Sequence, residues 1–191
     1  MLELLTKLDT DLFLYLNGLN TPFWDPIMIY FSGKLEWIPR YLVLAYFMYT
    51  KFGWRMVWPL IGVALVVTFA DQTSVHLFKN VFERLRPCHN PEIKELIHLA
   101  AGKCYGKFGF VSSHAANSFG VAVFLAFLFR LRWFSFSILA WAAIVSYSRI
   151  YLGVHYPGDI IVGGLLGAVC GYAVWNLLYG IDRSYGILKR R

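Results

Sequence analysis

Residues 158–179 read GDIIVGGLLGAVCGYAVWNLLY, and after Asp159 this stretch contains no charged side chain. Its length matches the ~20 mostly apolar residues that a helix needs to cross a bilayer. Gly163, Gly167 and Gly171 recur at every fourth position. Glycines at this spacing are either ordinary filler of a membrane helix or a ridge of small residues that lets a neighbouring helix approach closely. On both interpretations the stretch predicts a transmembrane helix.

The composition of the whole chain agrees with this prediction. Of its 191 residues, 58% are hydrophobic and only 15% are charged, and the mean hydropathy is +0.54. A soluble domain is typically about 45–50% apolar and about 25% charged, and a chain of this size cannot hide such an excess in one core. A disordered chain is excluded, a soluble enzyme is disfavoured, and three cysteines are too few for a disulfide scaffold.

We therefore expect an all-α fold, a multi-pass transmembrane helical bundle that forms a single domain over residues 1–191 with its core at about 23–179. Apolar runs predict about six spans, the last at 158–179 and the others at about 23–36, 38–50, 54–78, 115–129 and 133–148. Residues 2–19 instead place leucines at helical spacing between polar residues. That pattern predicts an N-terminal amphipathic helix lying in the membrane interface.

Basic residues give the chain a formal net charge of +7, but they do not form the continuous stripe typical of nucleic-acid binding. They stand as short groups between apolar runs, as they do beside membrane spans. With an even number of spans, and with Lys79, Arg86 and Arg149 assigned to a site, nine fall on one side and six on the other. The nine are Lys7, Lys51, Arg55, Arg130, Arg132, Arg183, Lys189, Arg190 and Arg191, and the six are Lys34, Arg40, Arg84, Lys94, Lys103 and Lys107. The positive-inside tendency then predicts that both termini are cytoplasmic and that the loop over about 79–113 is external.

Three short stretches place polar side chains at the ends of apolar spans. They are KNVFERLRP at 79–87, VSSH at 111–114 and SRIYLGVHYPGD at 148–159. The spans at 115–129 and 133–148 are separated only by Arg130, Leu131 and Arg132. So tight a hairpin returns the chain to the side it left and brings the second and third stretches together. Since the first stretch leads into the second through one loop, we expect all three to meet at one mouth.

Together the three stretches offer the groups that bind a polyanion. Lys79, Arg86 and Arg149 would bring three positive charges to one place, and the planar fork of arginine suits two-point contact with phosphate oxygens. Ser112 and Ser113 directly precede a predicted helix start, where backbone N–H groups and the helix dipole favour an anion. The chain carries no GxxxxGK[ST] loop that would compete for this role.

Two histidines complete the predicted chemistry. His155 and Asp159 are four residues apart, so a hydrogen bond between them is reachable if this turn is helical. Such a bond would fix the imidazole and stabilise the cation that forms on attack. His155 is then a candidate nucleophile and His114 a candidate general acid for the leaving oxygen. The chemistry needs a neutral His155 and a charged His114, and the unperturbed histidine pKa of ~6.5 allows both.

These stretches resemble the three-part motif of the type 2 phosphatidic acid phosphatase (PAP2) superfamily, which reads K-x6-RP, PSGH and SR-x5-H-x3-D. The first and third parts agree at every defined position, which are Lys79, Arg86, Pro87, Ser148, Arg149, His155 and Asp159. The second part departs from the pattern, because Val111 replaces its proline and Ser113 replaces its glycine. The resemblance also extends to the helical layout over about 23–179.

The resemblance implies an integral membrane phosphatase that hydrolyses a lipid phosphate or diphosphate without metal or cofactor. It implies that the phosphoryl group is held by Lys79, Arg86, Arg149, Ser112 and the backbone of Ser113. It further implies that His155 forms a phosphohistidine, that His114 protonates the leaving group and that water then releases phosphate. Expected substrates are undecaprenyl diphosphate, phosphatidylglycerophosphate, phosphatidate or lipid A phosphate, reached from the periplasmic side of a bacterial inner membrane. Membrane lipids are the expected partners, with no nucleic acid and no obligate protein partner.

Several alternatives stay open at this point. The phosphohistidine could pass its phosphate to a second lipid, as in a phosphotransferase, or the chain could be a non-catalytic membrane scaffold. A vanadate-dependent haloperoxidase of the same superfamily fits poorly with so hydrophobic a chain. His114, His155 and Asp159 are also zinc-ligand types, although three nearby cations would repel the ion. Cys88 and Cys104 form either a disulfide across the loop or two thiols.

Overall fold

The computed structural model describes residues 1–33, 38–104 and 106–188, and within them it contains helices and turns but no β-sheet. The α-helices of this part of the chain are α1 Leu2–Asn17, α2 Trp24–Ser32, α3 Ile38–Phe52, α4 Val57–Thr73, α5 Asn80–Phe82, α6 Ser113–Phe129, α7 Arg132–Tyr151 and α8 Pro157–Tyr185. Single turns of 3₁₀-helix cover Gly53–Met56 and Pro87–His89, and a π-helical segment, Ser74–Lys79, joins α4 to α5. The predicted all-α architecture is confirmed.

The glycine ridge of the last predicted span lies against α6. A Cβ atom on Gly167 would stand 2.0 Å from the carbonyl oxygen of Ala116, and one on Gly171 would stand 2.2 Å from that of Gly120. Because no side chain fits into such gaps, α6 and α8 pack backbone to backbone, as a ridge of small residues permits. Phe124 of α6 is fully buried beside this contact. The glycines are therefore a packing surface and not filler.

Three stretches are long and apolar enough to cross a membrane, namely Tyr41–Phe82, Arg132–Tyr151 and Pro157–Tyr185, and α6 is a shorter apolar helix. The first stretch contains a reversal of the chain. Gly53 has a φ of 58°, in the left-handed region that glycine tolerates best. Tyr41 of α3 and Asp71 of α4 line the same cavity, so α3 and α4 run in opposite directions on either side of it.

The second helix corrects the prediction for residues 23–36. Within this predicted span the structure describes residues 23–33, of which Trp24–Ser32 form α2, and residues 34–36 lie outside the described part of the chain. Asp25, at the start of α2, accepts a hydrogen bond from the hydroxyl of Tyr151 across 2.7 Å. Ser32, at its end, is hydrogen-bonded to Arg149. Both partners lie at the C-terminal end of α7, so the prediction that this segment crosses the membrane is wrong for Trp24–Ser32.

The first helix lies at that same end of the bundle. Asp9 of α1 accepts hydrogen bonds from Arg84 across 2.8 Å and from the N–H of Gly158, at the start of α8, across 2.7 Å. The far end of α8 lies at the other end of the bundle, where Arg55 donates to the carbonyl oxygen of Gly186. The expectation that both termini share one side is therefore wrong. Five described helices, α3, α4, α6, α7 and α8, connect the two ends.

The long loop between α5 and α6 folds back over the end of the bundle. Leu85 and Phe108 form an isolated β-bridge, and the N–H of Arg86 donates across 3.1 Å to the facing segment. Cys88 and Cys104 are joined by a disulfide, with Cα atoms 6.2 Å apart. Of the two states that the sequence left open, the disulfide is the one observed. These links fix the backbone on both sides of Arg86.

Candidate active site

His155 lies in the short loop between α7 and α8 and is only 1% exposed. Its Nδ1 is 3.3 Å from Oδ2 of Asp159, and the same oxygen accepts a hydrogen bond from the N–H of Tyr156 across 3.0 Å. Asp159 stands in the first turn of α8, and Pro157 occupies the start of that helix, where its fixed φ favours helix formation. The spacing of four residues thus brings imidazole and carboxylate together, and Nε2 lies on the far side of the ring from Asp159.

The surroundings of His155 favour its neutral form. Burial lowers the pKa of His155 well below its ordinary value of 6.5, and the nearby cations of Arg86, Arg149 and Lys79 lower it further. A neutral imidazole keeps the lone pair that a nucleophile needs. The protonation state that the sequence required of this histidine is therefore the one its environment favours.

The three predicted cations and a fourth basic residue, Lys103, line a cavity of about 630 Å³ beside this histidine. Lys79 comes from the π-helical segment, Arg86 from the long loop and Arg149 from the end of α7. His114 and His155 line the same cavity. The three polar stretches of the sequence thus meet at one mouth, and their charges suit a polyanion.

The two serines before α6 have different positions. Ser112 is fully buried; its Oγ accepts a hydrogen bond from the N–H of Ala115 across 3.4 Å, and its own N–H donates to the carbonyl oxygen of Asp159 across 3.0 Å. It does not line the cavity, and its polar groups instead cap α6 and join it to α8, so the expected contact between Ser112 and phosphate stays a prediction. Ser113 does line the cavity, and its Oγ accepts a hydrogen bond from Nζ of Lys79 across 2.6 Å. A serine at this position orients the lysine, which a glycine could not do.

Sequence reasoning missed two residues next to the carboxylate, Arg84 and Gly109. Arg84 donates through Nη1 to Oδ1 of Asp159 across 2.9 Å and through Nη2 to Asp9 across 2.8 Å. A Cβ on Gly109 would stand 3.1 Å both from Oδ2 of Asp159 and from Cγ of Arg86, so a side chain at this position would press on both groups. Because Arg84 lies inside the first motif, the sequence could have pointed to it, whereas no motif includes Gly109.

The geometry does not support the zinc alternative. Among the described residues, His114, His155 and Asp159 do not form a group whose ligand atoms lie close enough to share one ion. The described residues whose ligand atoms do lie this close together are Cys88, His89 and Cys104, and the two cysteines of this group are joined to each other in the disulfide.

Comparison with known proteins finds related sequences over most of the chain. The PAP2 superfamily matches residues 42–183. A lipid A 4'-phosphatase from Bacteroides thetaiotaomicron is 45% identical over 182 residues, which are 94% of this chain and 80% of that protein. An undecaprenyl-diphosphatase from Sulfolobus acidocaldarius is 30% identical over 166 residues, which are 84% of this chain and 73% of that protein. The names of these two relatives assign them different lipid substrates.

The fold is also similar to that of a solved structure. The crystal structure of a transmembrane PAP2-type phosphatidylglycerolphosphate phosphatase from Bacillus subtilis matches with a TM-score of 0.68, covering 95% of this chain and 87% of that one. The two sequences are 21% identical, so this likeness concerns the fold alone.

Proposed function

This chain belongs to the PAP2 superfamily and is an integral membrane lipid phosphatase, and from this premise we propose that it hydrolyses the phosphate monoester of a phosphorylated glycolipid of the lipid A type. The observation that carries the proposal is the cavity in which Lys79, Arg86 and Arg149 surround His155. The 45% identity to a lipid A 4'-phosphatase over 94% of the chain supports the choice of lipid. Undecaprenyl diphosphate, phosphatidylglycerophosphate and phosphatidate are the competing substrates.

The first step is the binding of the phosphate group. Two guanidinium groups and one ammonium group offset its charge, and arginine adds two-point contacts to its oxygens. Nε of Arg86 donates to the carbonyl oxygen of Phe108 across 3.2 Å, which turns the terminal nitrogens of Arg86 toward a ligand. The N-terminal end of α6, at Ser113, adds the partial positive charge of the helix dipole.

In the second step, Nε2 of His155 attacks phosphorus on the side opposite the leaving oxygen. A P–N bond forms while the P–O ester bond breaks, and His114 gives its proton to the departing oxygen. Asp159 stabilises the positive charge that develops on the imidazole of His155. The products of this step are a phosphohistidine and a lipid with a free hydroxyl group.

In the third step, water attacks the phosphorus of the phosphohistidine. His114, now neutral, takes a proton from that water, and the P–N bond breaks as the new P–O bond forms. Inorganic phosphate leaves, and both histidines return to their starting protonation states. The scheme requires neither a metal nor a cofactor.

We place this site on the periplasmic side of a bacterial inner membrane. The disulfide between Cys88 and Cys104 lies in the loop at the site end, and disulfides persist in oxidising compartments such as the periplasm. The five helices that connect the two ends would span the bilayer, with the C-terminal end of α8 in the cytoplasm. Helix α1 would lie in the interface, since it buries Phe13 and exposes a row of leucines, Leu4, Leu5, Leu8 and Leu12.

The test is phosphate release from lipid A 4'-phosphate by the purified protein in detergent with EDTA. We expect His155→Ala to abolish release, because the nucleophile is lost. We expect His114→Ala to lower kcat by about 10²–10⁴-fold, the usual contribution of a general acid. The matched control is His76→Ala, because this exposed histidine is hydrogen-bonded only locally, to Gln72; it should keep wild-type activity.

A substrate with a better leaving group separates the roles of the two histidines. Because p-nitrophenolate departs without a proton, p-nitrophenyl phosphate should restore a burst of p-nitrophenol in His114→Ala but not in His155→Ala. Equal losses in both variants on both substrates, or activity that EDTA abolishes, would contradict the scheme. Phosphate transferred to an added acceptor lipid would identify a phosphotransferase instead.

A further inference from the structure

A second cavity, of about 410 Å³, adjoins the phosphate site and is lined by residues of α3, α4, α6 and α7. Gly33, Ser113 and His114 line both cavities, so the second cavity opens into the first beside His114. From there it extends into the bundle. Asn117 and Val121, which also line it, stand about one and two helical turns below Ser113 on α6.

The position of His114 decides what this second cavity receives. In the proposed function, on which this inference rests, His155 attacks from one side of the phosphorus and the leaving oxygen departs on the other. The leaving oxygen therefore lies next to His114, and the rest of the leaving group continues beyond it. Because the second cavity begins at His114, it is the space that the leaving group enters.

The upper part of the second cavity is polar and, within the described lining, carries no lysine or arginine. Oδ1 of Asn117 is buried and has no hydrogen-bond partner among the described residues. A buried acceptor of this kind costs free energy unless a ligand supplies a donor. Asp71 adds a carboxylate to the same lining, and an ionisable residue inside a membrane helix is a functional candidate by default. Its charge would repel an anionic leaving group.

The lower part of the second cavity is lined by aromatic and aliphatic side chains. Tyr41, Leu44 and Trp141 line it and also border a neighbouring groove of about 280 Å³ between α3 and α7. The other apolar residues of that groove are Val43, Phe134 and Ile138. A hydrocarbon chain attached to the leaving group fits this continuation.

We propose that the second cavity is the leaving-group subsite, in which Asn117 and Asp71 select a neutral lipid alcohol that carries hydroxyl or amide donors, such as an acylated amino sugar. Asn117 accepts a hydrogen bond from that sugar or its amide. Asp71 disfavours the anionic monophosphate that leaves from a polyprenyl diphosphate. The subsite thus discriminates in favour of a glycolipid monoester over a polyprenyl diphosphate, although the cation cavity would bind the terminal phosphate of both substrates.

The test compares lipid A 4'-phosphate, undecaprenyl monophosphate and undecaprenyl diphosphate in detergent micelles. Asn117→Leu removes the acceptor and keeps a similar volume. We expect the ratio of kcat/KM for lipid A 4'-phosphate to that for undecaprenyl monophosphate to fall about three- to tenfold, as for the loss of one hydrogen bond. Asp71→Asn removes a negative charge and should raise kcat/KM for the diphosphate, relative to lipid A 4'-phosphate, by at least about tenfold.

The matched control for the first variant is Asn176→Leu, the same change on an exposed position of α8, which should alter neither ratio. Unchanged ratios in both test variants, or a parallel loss on all three substrates, would overturn the subsite and leave the proposed function standing. A raised Ki for inorganic phosphate would place these residues in the phosphate site and would also overturn it. Wild-type protein that releases phosphate from none of the three lipids would overturn the proposed function itself. The two variants are independent, so a folding failure of one leaves the other measurement decisive.

Discussion

Arg84 and Asp159 face each other across 2.9 Å, from Nη1 to Oδ1, while the other oxygen of the carboxylate faces His155. The guanidinium of Arg84 also lies over the ring of Tyr156, 4.0 Å from its centroid. The side chain of Asp159 is fully buried, whereas that of Arg84 is 25% exposed. Since Arg84 does not line the phosphate cavity, it is a positioning residue that holds the carboxylate, and the carboxylate in turn holds the histidine.

Replacing Arg84 by glutamine should therefore lower kcat far more than it raises KM. A carboxylate without its cation can rotate or take up a proton, and loss of the orienting aspartate in a catalytic triad costs about 10⁴-fold in kcat. We expect a fall of about 10²-fold for the indirect change in Arg84→Gln, with partial recovery in Arg84→Lys, which keeps the charge but not the two-point geometry. Steady-state kinetics measure both effects, with the exposed Arg132→Gln at the other end of the bundle as control. A rise in KM alone would instead place Arg84 on the phosphate.

Asp9 extends this network to the N-terminal helix. One of its oxygens accepts from the N–H of Gly158 and the other from Arg84. Asp9→Asn removes the charge and one acceptor, so we expect the free energy of unfolding to fall by about 1–2 kcal/mol and kcat to fall several-fold. Asp11→Asn makes the same change at an exposed position of the same helix and should do neither. Thermal unfolding and activity in detergent compare the two variants, and identical behaviour would show that α1 is not coupled to the site.

The site residues that could be predicted from the sequence share one property. Lys79, Arg149 and His155 are polar side chains at the edges of apolar spans, where the hydrophobic pattern gives them no structural role and a charge needs a partner. Arg84 lacks this contrast, because it is a basic residue in a polar loop, and its place inside the first motif is the one sequence feature that marks it. Its partner Asp9 lies 75 residues away along the chain, and only the folded loop brings the two together.

Helix α2 shows the same limit for the fold. Its apolar residues suit a short membrane span, but Asp25 is hydrogen-bonded to Tyr151 and to His98, across 126 and 73 residues of sequence. Contacts of this kind leave no periodic trace in the sequence. The tightly packed glycines of α8 do leave one, because helix packing repeats with the helical turn.

His155 should set an acidic limit of activity well below pH 6.5. Burial, followed by the cations of Arg86 and Arg149, lowers the pKa of its imidazole, and in the proposed scheme the neutral form is the one that attacks. The rate should therefore decline only as the pH approaches that lowered pKa, not near the ordinary value of ~6.5. The pH profile of the p-nitrophenol burst in His114→Ala isolates this limb, because no general acid then titrates. The ionisation of the substrate is measured separately and divided out.

The lowered pKa of His155 also makes the stability of the fold depend on pH. Because the folded-state pKa of His155 lies below the unfolded-state pKa, the folded protein binds fewer protons and this group stabilises the fold above about pH 6.5. That contribution is lost as the pH falls through the range between the two pKa values.

An acidic limit of activity at or above pH 6.5 would contradict the assignment of His155 as a buried, neutral nucleophile.

The disulfide should stabilise both the loop and the phosphate site. Cys88 follows Arg86 by two residues, Cys104 follows Lys103 directly, and both basic residues line the cavity. The two cysteines are 16 residues apart, and closing a loop of that size is worth about 3 kcal/mol at 25 °C. Replacing both by serine should lower the free energy of unfolding by up to about that amount and raise KM more than it lowers kcat. Cys170→Ser is the control, and an unchanged KM would show that the loop does not depend on the bond.

Gly167→Ala and Gly180→Ala make the same change in the same helix but should differ sharply in effect. A Cβ at Gly167 would stand 2.0 Å from the carbonyl oxygen of Ala116, a backbone atom that cannot swing aside, whereas nothing lies within 4 Å of a Cβ at Gly180. Overpacking costs about 1–3 kcal/mol, so Gly167→Ala should lower the free energy of unfolding by at least this amount. Gly180→Ala should be neutral or slightly stabilising, because alanine is the better helix former.

The two glycine variants should also differ in activity. Helix α6 carries His114 and α8 carries Asp159, so forcing these helices apart at Gly167 separates the proposed general acid from the carboxylate beside the proposed nucleophile. We expect kcat to fall in Gly167→Ala and to stay at the wild-type value in Gly180→Ala, measured on the same preparations used for unfolding. If both variants unfold at the same temperature and turn over equally fast, the close packing of α6 on α8 is not what holds the two halves of the site together.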